Sequence, residues 1–150
     1  MRLFAILCFA ALPVFAGGDA SHPVFTGTWQ LDPASSQIHS HLSGAVVWTI
    51  DQKDEDIHLN ETGTERGATF EVTCGTHGAD CKTKEAGKPV TLSFWYNGPA
   101  LVEMETAGKG EEVTKKKMQL SDDGSAIIVE VTHILPEGRG PEKYVFKKQH

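Results

Sequence analysis

Apolar and polar residues alternate along most of the chain after residue 24, and this period of two predicts β-strands rather than helices. The alternation is strongest in segments 24–31, 45–51, 90–96, 100–106 and 126–135. Weaker candidates lie at 57–59, 70–74, 82–84, 111–120 and 143–148, and Gly, Pro, Asn and Asp residues separate the segments. The pattern predicts eight to ten strands.

Short turns connect these segments, among them Lys53-Asp54-Glu55 and Asn97-Gly98, the second of which is a strong hairpin signal. Strands joined by short turns are antiparallel neighbours, since parallel pairs need a long crossover. A meander of this size closes on itself or splits into two sheets, because an open one leaves exposed edges. We therefore predict an all-β, antiparallel up-and-down meander that closes into a barrel, with a β-sandwich as the alternative.

One segment departs from the strand pattern. Asp32-Pro33 is typical of a helix start, with aspartate as the cap and proline at the first helical position. The sequence predicts a short helical turn or ordered loop from here toward residue 41, directly after the first strand.

The N-terminus has the features of an export signal. Residues 3–15 are apolar and uncharged, Arg2 precedes them, and small residues allow cleavage after Ala16 or Ala20. The apolar run is shorter than the roughly 20 residues that span a bilayer, and no second run follows it. We predict a cleaved signal peptide at 1–16, a single barrel domain at 17–150 without an integral membrane segment, and a periplasmic or secreted location.

The charge of the chain limits its partners. The formal net charge is −6 at pH 7. Nucleic acids and anionic membranes attract basic surfaces, so the acidic balance argues against both.

Two cysteines follow the predicted signal peptide, Cys74 and Cys81, in a glycine-containing loop. In an oxidising compartment such a pair predicts a disulfide. The alternative is a metal site that adds His77 and Asp80, but structural zinc sites have tighter spacing and four firm ligands. The His39-Ser40-His41 motif likewise lacks a third ligand. We predict no metal and no cofactor.

Motifs at both ends of the predicted domain carry a family resemblance. The segment Phe25-Thr26-Gly27-Thr28-Trp29-Gln30-Leu31-Asp32 resembles the Gly-x-Trp opening of lipocalin-type barrels, and together with Ser36 it resembles the start of small secreted bacterial proteins of this type. The turn 120–124 and the final segment 146–149 resemble the same group, whereas the cysteine loop is not part of its pattern. The resemblance implies a lipocalin/calycin-like barrel in which Trp29 closes one end, and it says almost nothing about chemistry.

Several side chains are candidates for a ligand site inside such a barrel. The aromatic and soft apolar candidates are Trp48, Phe94, Tyr96 and Met104. His133 lies on an otherwise apolar strand face, as a satisfied core histidine or as a ligand contact at the barrel mouth. Lys116 either extends its ammonium to water near a strand end or faces the lumen, where it would favour an anionic ligand such as a fatty acid.

These observations favour a non-catalytic protein that binds a small hydrophobic or anionic amphipathic ligand in its barrel. The alternative from a different class is a structural or interaction protein with a filled barrel, since eight-stranded barrels occur in both forms. A third interpretation is an enzyme with His133 or Tyr96 as acid or base. No nucleophile elbow or other catalytic motif is present in the sequence, so we predict that the protein is not an enzyme.

Overall fold

The computed structural model describes residues 22–39, 44–63 and 69–150, and the predicted signal peptide, both cleavage positions and His41 lie outside them. The described residues form ten β-strands. In chain order these are β1 (Gly27–Leu31), β2 (Val47–Lys53), β3 (Asp56–Thr62), β4 (Phe70–Gly75), β5 (Cys81–Glu85), β6 (Lys88–Asn97), β7 (Ala100–Ala107), β8 (Glu112–Leu120), β9 (Ala126–Leu135) and β10 (Glu142–Lys148).

All ten strands belong to one antiparallel sheet in the order β4-β3-β2-β1-β10-β9-β8-β7-β6-β5. The first and last strands pair with each other, with Trp29 opposite Lys148 and Leu31 opposite Phe146. The sheet thereby curls into a nearly closed barrel, and its two edge strands are β4 and β5, which follow one another in the chain. The predicted all-β antiparallel barrel is confirmed, and its ten strands are the upper limit of the predicted eight to ten. In the described parts of the chain, no helix is long and apolar enough to cross a membrane.

A gap in the backbone ladder separates β4 from β5, and side chains bridge it. The predicted Cys74–Cys81 disulfide is present and joins the two strands near the connection between them. Further along the gap, the hydroxyl of Thr83 donates a hydrogen bond of 2.9 Å to the carbonyl oxygen of Glu71. The gap is therefore held covalently at one end, and its other end lies where β4 begins at Phe70.

Removing the disulfide should lower the stability of the barrel. We expect the double variant C74A/C81A to lose about 2.5 kcal/mol in free energy of unfolding, which is the loop-closure term for so short a loop. Urea denaturation of oxidised wild type and variant measures the difference. Equal midpoints at equal slopes would show that the strand pairings alone hold β4 and β5 in place.

The predicted helical turn after β1 is present but short. Pro33–Ser35 form a single 3-10 turn, and the Asp32 carboxylate accepts a hydrogen bond from the amide of Ala34. The remainder of the segment is not helical, since Gln37 pairs in strand fashion with Lys143, and residues 40–43 lie outside the described part of the chain. Backbone hydrogen bonds to β10 thus replace helical ones after Ser36.

Large apolar side chains fill the closed end and the middle of the barrel interior. The largest fully buried members of this core are Phe25, Trp29, Trp48, Ile50, Ile57, Leu59, Leu92, Phe94, Leu101, Met118, Ile127 and Phe146. Phe25 precedes β1 and closes the end of the barrel at which β1 begins, where its carbonyl oxygen accepts a hydrogen bond of 2.8 Å from Trp29 Nε1. We call this the closed end, and the opposite end, where β3, β5, β7 and β9 finish, the cavity end.

Candidate functional site

The cavity end of the barrel holds a cavity with a volume of about 120 Å³. Every strand from β3 to β10 contributes at least one lining residue, and the loop between β9 and β10 adds Arg139. One wall reaches the gap between the edge strands, through Phe70 at the start of β4 and Glu85 at the end of β5. The cavity therefore lies where the barrel is least tightly closed.

Both apolar and ionisable side chains line this cavity. Phe70, Val90 and Val131 supply the apolar surface. The carboxyl groups are those of Glu61, Glu85, Glu105 and Glu112, and the basic groups are those of Lys116, His133 and Arg139. Such a mixture suits a molecule with an apolar body and a polar group, because each part finds matching surface.

Lys116 is held inside the barrel by two carboxylates of the neighbouring strand. It lies directly opposite Glu103 in the β7–β8 register, and its ammonium is 2.8 Å from Glu103 Oε1 and 3.2 Å from Glu105 Oε2. Only 13 % of the lysine side chain and none of the Glu103 side chain is exposed. The interpretation that Lys116 extends its ammonium to water is therefore wrong, and the lysine faces the lumen.

Burial opposes the positive charge of Lys116, but the carboxylates of Glu103, Glu105 and Glu61 outweigh this effect and raise its pKa well above the usual range. Lys116 is consequently a permanent cation. Its charge is engaged by Glu103 and Glu105 before any ligand arrives.

Glu61 is the last inward-facing residue of β3. In the strand register it lies directly opposite Trp48 of β2 on one side and Phe70 of β4 on the other. Burial raises the pKa of its carboxyl to about 7, against the lowering effect of the Lys116 ammonium. The carboxyl groups of Glu103, Glu105 and Glu85 raise it further. Glu61 therefore changes its charge near neutral pH, inside the cavity.

A second polar cluster centres on Glu142 at the start of β10. Its Oε2 accepts a hydrogen bond of 2.8 Å from the Tyr144 hydroxyl and lies 3.2 Å from His133 Nε2. Its Oε1 accepts a hydrogen bond of 2.6 Å from the backbone amide of His39. This carboxylate ties the segment after β1 to β9 and β10, and so fixes the wall that His133 and Tyr144 form.

The structure brings only two of the six predicted ligand residues to the cavity, Lys116 and His133. Trp48 and Phe94 belong to the buried core instead, and Trp48 stacks on Phe146 with ring centroids 4.0 Å apart. Met104 is on the opposite face of β7 from the buried Glu103, because side chains alternate along a strand. Its assignment to the inner face is corrected.

Tyr96 lies at the closed end, far along β6 from the cavity. Its hydroxyl donates to the carbonyl oxygen of Pro23 at 3.1 Å and accepts from Gln52 Nε2 at 2.7 Å. The ring of His22 stacks on it with centroids 3.9 Å apart. Together with Trp29, which is 1 % exposed, these residues plug the closed end.

Sequence reasoning missed the cavity-lining carboxyl groups of Glu61 and Glu105 and the buried carboxyl group of Glu103. Glu103 and Glu105 alternate with Val102 and Met104, so the strand pattern placed the two acids outside. The signal that could have found them is the lysine opposite, since a lysine on an inner face needs an acidic partner across the strand pair.

No metal centre is formed by the described residues, among which no group of three or more His, Cys, Asp and Glu side chains could hold a metal ion. The alternative in which Cys74, Cys81, His77 and Asp80 bind a metal is excluded by the disulfide, which occupies both sulfurs. The ionisable groups that line the cavity are thus carboxyl groups, an ammonium, a guanidinium and an imidazole.

Comparison with solved structures identifies the fold. The barrel is similar to a secretary abundant heat soluble (SAHS) protein from Ramazzottius varieornatus, with a TM-score of 0.67 and 11% identity over 83% of this chain and 95% of that chain. It is similar to the REP1-NXSQ fatty acid transporter, with a TM-score of 0.63 and 11% identity over 83% and 96% of the two chains. The fatty-acid-binding protein of Manduca sexta gives a TM-score of 0.63 and 13% identity over 83% and 99%.

Identity this low shows a shared fold and no more. No protein-family model matches the chain, and no curated protein matches it. The comparisons confirm the predicted lipocalin/calycin-like β-barrel, and the cavity residues themselves must carry any argument about function.

Proposed function

We propose that this protein is a non-catalytic binding protein that holds a small amphipathic molecule at the cavity end of its barrel. The observation that carries the proposal is the uneven filling of the interior. Large side chains occupy the closed end, whereas a cavity with both apolar and charged walls remains at the other. Two of the similar barrels are described as a fatty acid transporter and a fatty-acid-binding protein, which supports binding within this architecture.

The size of the cavity limits the ligand. Pockets for drug-sized molecules measure roughly 300–1,000 Å³, and a cavity of about 150 Å³ holds a benzene molecule. The volume of about 120 Å³ favours a body of similar size over a long acyl chain. The ammonium of Lys116 is engaged by Glu103 and Glu105, so a carboxylate head would compete with these two residues for it.

Export is part of this proposal. It is supported by the apolar run at residues 3–15 and by the Cys74–Cys81 disulfide, which persists in oxidising compartments. The resemblance to small secreted bacterial proteins supports a periplasmic or secreted location. The intact mass of protein recovered from these fractions should correspond to a start at residue 17 or 21. Full-length protein confined to the cytoplasm would contradict export.

Native mass spectrometry of the protein isolated without detergent tests the binding function. We expect a reproducible additional mass that is lost on denaturation. A single unliganded mass, combined with unchanged cavity amide resonances in the presence of small amphipathic probes, would overturn the proposal. The better interpretation would then be an interaction protein that works through its surface.

A further inference from the structure

His133 lines the cavity, and its ring is held by a carboxylate behind the wall. Its Nε2 lies 3.2 Å from Glu142 Oε2, which also accepts the hydrogen bond of the Tyr144 hydroxyl at 2.8 Å. The other oxygen, Oε1, accepts from the backbone amide of His39. A carboxyl group that receives donors on both oxygens acts as a carboxylate, so Nε2 of His133 carries a hydrogen and donates it. The second ring nitrogen of the neutral imidazole, Nδ1, is then an acceptor.

Nδ1 of His133 is open to the cavity. The imidazole is part of the cavity wall, and 8 % of the side chain is exposed. Among the described residues, the fully buried side-chain nitrogen and oxygen atoms without a hydrogen-bond partner are Trp48 Nε1 and Glu103 Oε2. Nδ1 has no hydrogen-bond partner in the described part of the chain either, and it is not one of these buried atoms. It can therefore accept a hydrogen bond from a molecule in the cavity.

Thr114 places a hydroxyl group beside this acceptor. It lies directly opposite His133 in the β8–β9 register, and both residues line the cavity. No other described residue forms a hydrogen bond with its hydroxyl. The Cβ atoms of directly opposite residues on one face of an antiparallel pair are about 4.5–5.5 Å apart, so both side chains can reach a single ligand atom. The β8–β9 wall thus presents an acceptor next to a group that both donates and accepts.

These two groups match a hydroxyl better than a charged group. A carboxylate has no hydrogen to donate to Nδ1 of His133, and the Lys116 ammonium that would attract it is engaged by Glu103 and Glu105. Arg139 lies exposed on its loop, where water and salt screen its charge. An ammonium can donate to Nδ1 but has no lone pair to accept a hydrogen bond. A hydroxyl both donates and accepts.

We propose that the cavity recognises a hydroxyl group, which donates a hydrogen bond to His133 Nδ1 and accepts one from the Thr114 hydroxyl. The ligand is then a small apolar alcohol, whose body packs against Val131, the next inward residue of β9. This inference rests on the proposed binding function and names the polar group of its ligand. Glu142 is a positioning residue, because it acts through the hydrogen that it holds on Nε2.

Two isomers test the proposal, benzyl alcohol and anisole, since they contain the same atoms and only the first has a hydroxyl group. Each is titrated at pH 8 into isotope-labelled protein, as is benzoate, and the backbone amide shifts are followed. We expect benzyl alcohol to bind about ten-fold more tightly than anisole, because the ether cannot donate to Nδ1. Benzoate should bind more weakly than benzyl alcohol. The shifts should concentrate at Thr114, Val131 and His133.

The ring nitrogens of His133 report the contact directly. In nitrogen NMR spectra of the free protein we expect a hydrogen on Nε2 and none on Nδ1. Benzyl alcohol should shift the Nδ1 resonance, whereas anisole should leave it in place. His58 is the internal reference, because its Nε2 also lies 3.2 Å from a carboxylate, that of Glu71, but its side chain is 40 % exposed on the outer face of β3.

Matched variants locate the recognition. H133Q can direct an amide N–H toward Glu142 and has no acceptor in the place of Nδ1, and T114V replaces the hydroxyl with a methyl group. We expect H133Q to weaken benzyl alcohol about ten-fold and T114V about five-fold, with anisole nearly unchanged in H133Q. H58Q and T132V make the same changes on the outer faces of β3 and β9 and should alter neither.

Each other outcome has a distinct meaning. If anisole binds as tightly as benzyl alcohol, or benzoate more tightly, the hydroxyl recognition is wrong and the binding function stands. A hydrogen on Nδ1 of His133 in the free protein, or equal losses in H133Q and H58Q, would overturn the role of His133. If H133Q does not fold, the isomers in wild type and T114V decide. If no probe shifts the cavity amides, the recognition is overturned, and the native mass measurement decides the binding function separately.

Discussion

Replacing Lys116 with methionine will lower the free energy of unfolding by about 3 kcal/mol at neutral pH. The substitution keeps most of the side-chain volume and removes the ammonium that Glu103 and Glu105 share. Breaking a buried ion pair by deleting one partner costs about 3–5 kcal/mol, because the remaining charge stays buried without an opposite charge or water beside it. We expect the lower end of this range, since burial raises the pKa of Glu103 and the carboxyl can take up a proton. Urea denaturation followed by tryptophan fluorescence measures the loss.

Two further variants separate the charge effect from packing. K115M makes the same chemical change at an exposed position on the outer face of β8, and we expect it to change stability by no more than about 0.5 kcal/mol. The double variant K116M/E103L removes both buried charges and should recover most of the loss, because an apolar pair can replace a buried ion pair. A double variant as unstable as K116M would show that the lost packing, and not the unpaired Glu103, is responsible.

The fold could be predicted from the sequence because the signals that specify it lie within short segments of the chain. The two-residue alternation in β6 and β9 and the turn at Asn97-Gly98 are properties of short segments, and Gly98 adopts the left-handed backbone, φ 60°, that its residue type permits. Short connections then fixed the antiparallel order. The gap between β4 and β5 was not predictable, since it depends on how ten strands close around a common interior.

The site was harder to predict because alternation alone does not tell which face of a strand is inside. In β7 one face carries Val102 and Met104 and the other carries Glu103 and Glu105. Hydrophobicity favours the first set as the inner face, but the structure buries Glu103, because Lys116 lies opposite to it across the strand pair. The ion pair across two strands therefore decides which face of β7 is buried. The residue pattern of β7 alone does not show which residues lie opposite on β8.

The same reasoning explains why aromatic residues were poor markers of the cavity. Trp48 and Phe94 were predicted as ligand contacts because binding sites use aromatic surface, but a barrel core uses the same residues. In this chain Trp48 and Phe94 belong to the buried core, whereas the cavity is lined by Phe70 and Tyr144 together with many charged side chains. Charged residues on inward positions, as in Glu61 and Lys116, were the more informative signal, since burying them is costly unless they have a partner or a function.

The barrel should lose stability as the pH rises from about 5 to 8, and Glu61 should account for about 2–3 kcal/mol of that loss. Its carboxyl has an ordinary pKa of 4.5, which burial raises to about 7 in the folded state, with the Lys116 ammonium opposing the rise. Between these two values the folded protein binds more protons than the unfolded chain, so raising the pH favours unfolding. Each unit of pKa difference corresponds to about 1.4 kcal/mol, which sets the upper limit for Glu61 at roughly 3 kcal/mol.

The E61Q variant isolates this contribution, because glutamine is neutral at every pH and keeps the shape of the side chain. E130Q is the control, because it removes an exposed carboxylate from the outer face of β9. Denaturation of wild type, E61Q and E130Q at pH 5 and pH 8 should show a smaller loss for E61Q than for the other two. The other groups that act on Glu61, namely Lys116, Glu103, Glu105 and Glu85, are present in all three proteins, so the difference between wild type and E61Q reports the titration of Glu61 together with its coupling to them. Asp32 and Asp123, whose carboxyls are hydrogen-bonded and have pKa values lowered to about 2, are ionised throughout this range and do not contribute. If wild type and E61Q lose the same free energy, Glu61 is ionised in the folded barrel already at pH 5, and the cavity stabilises its negative charge without a ligand.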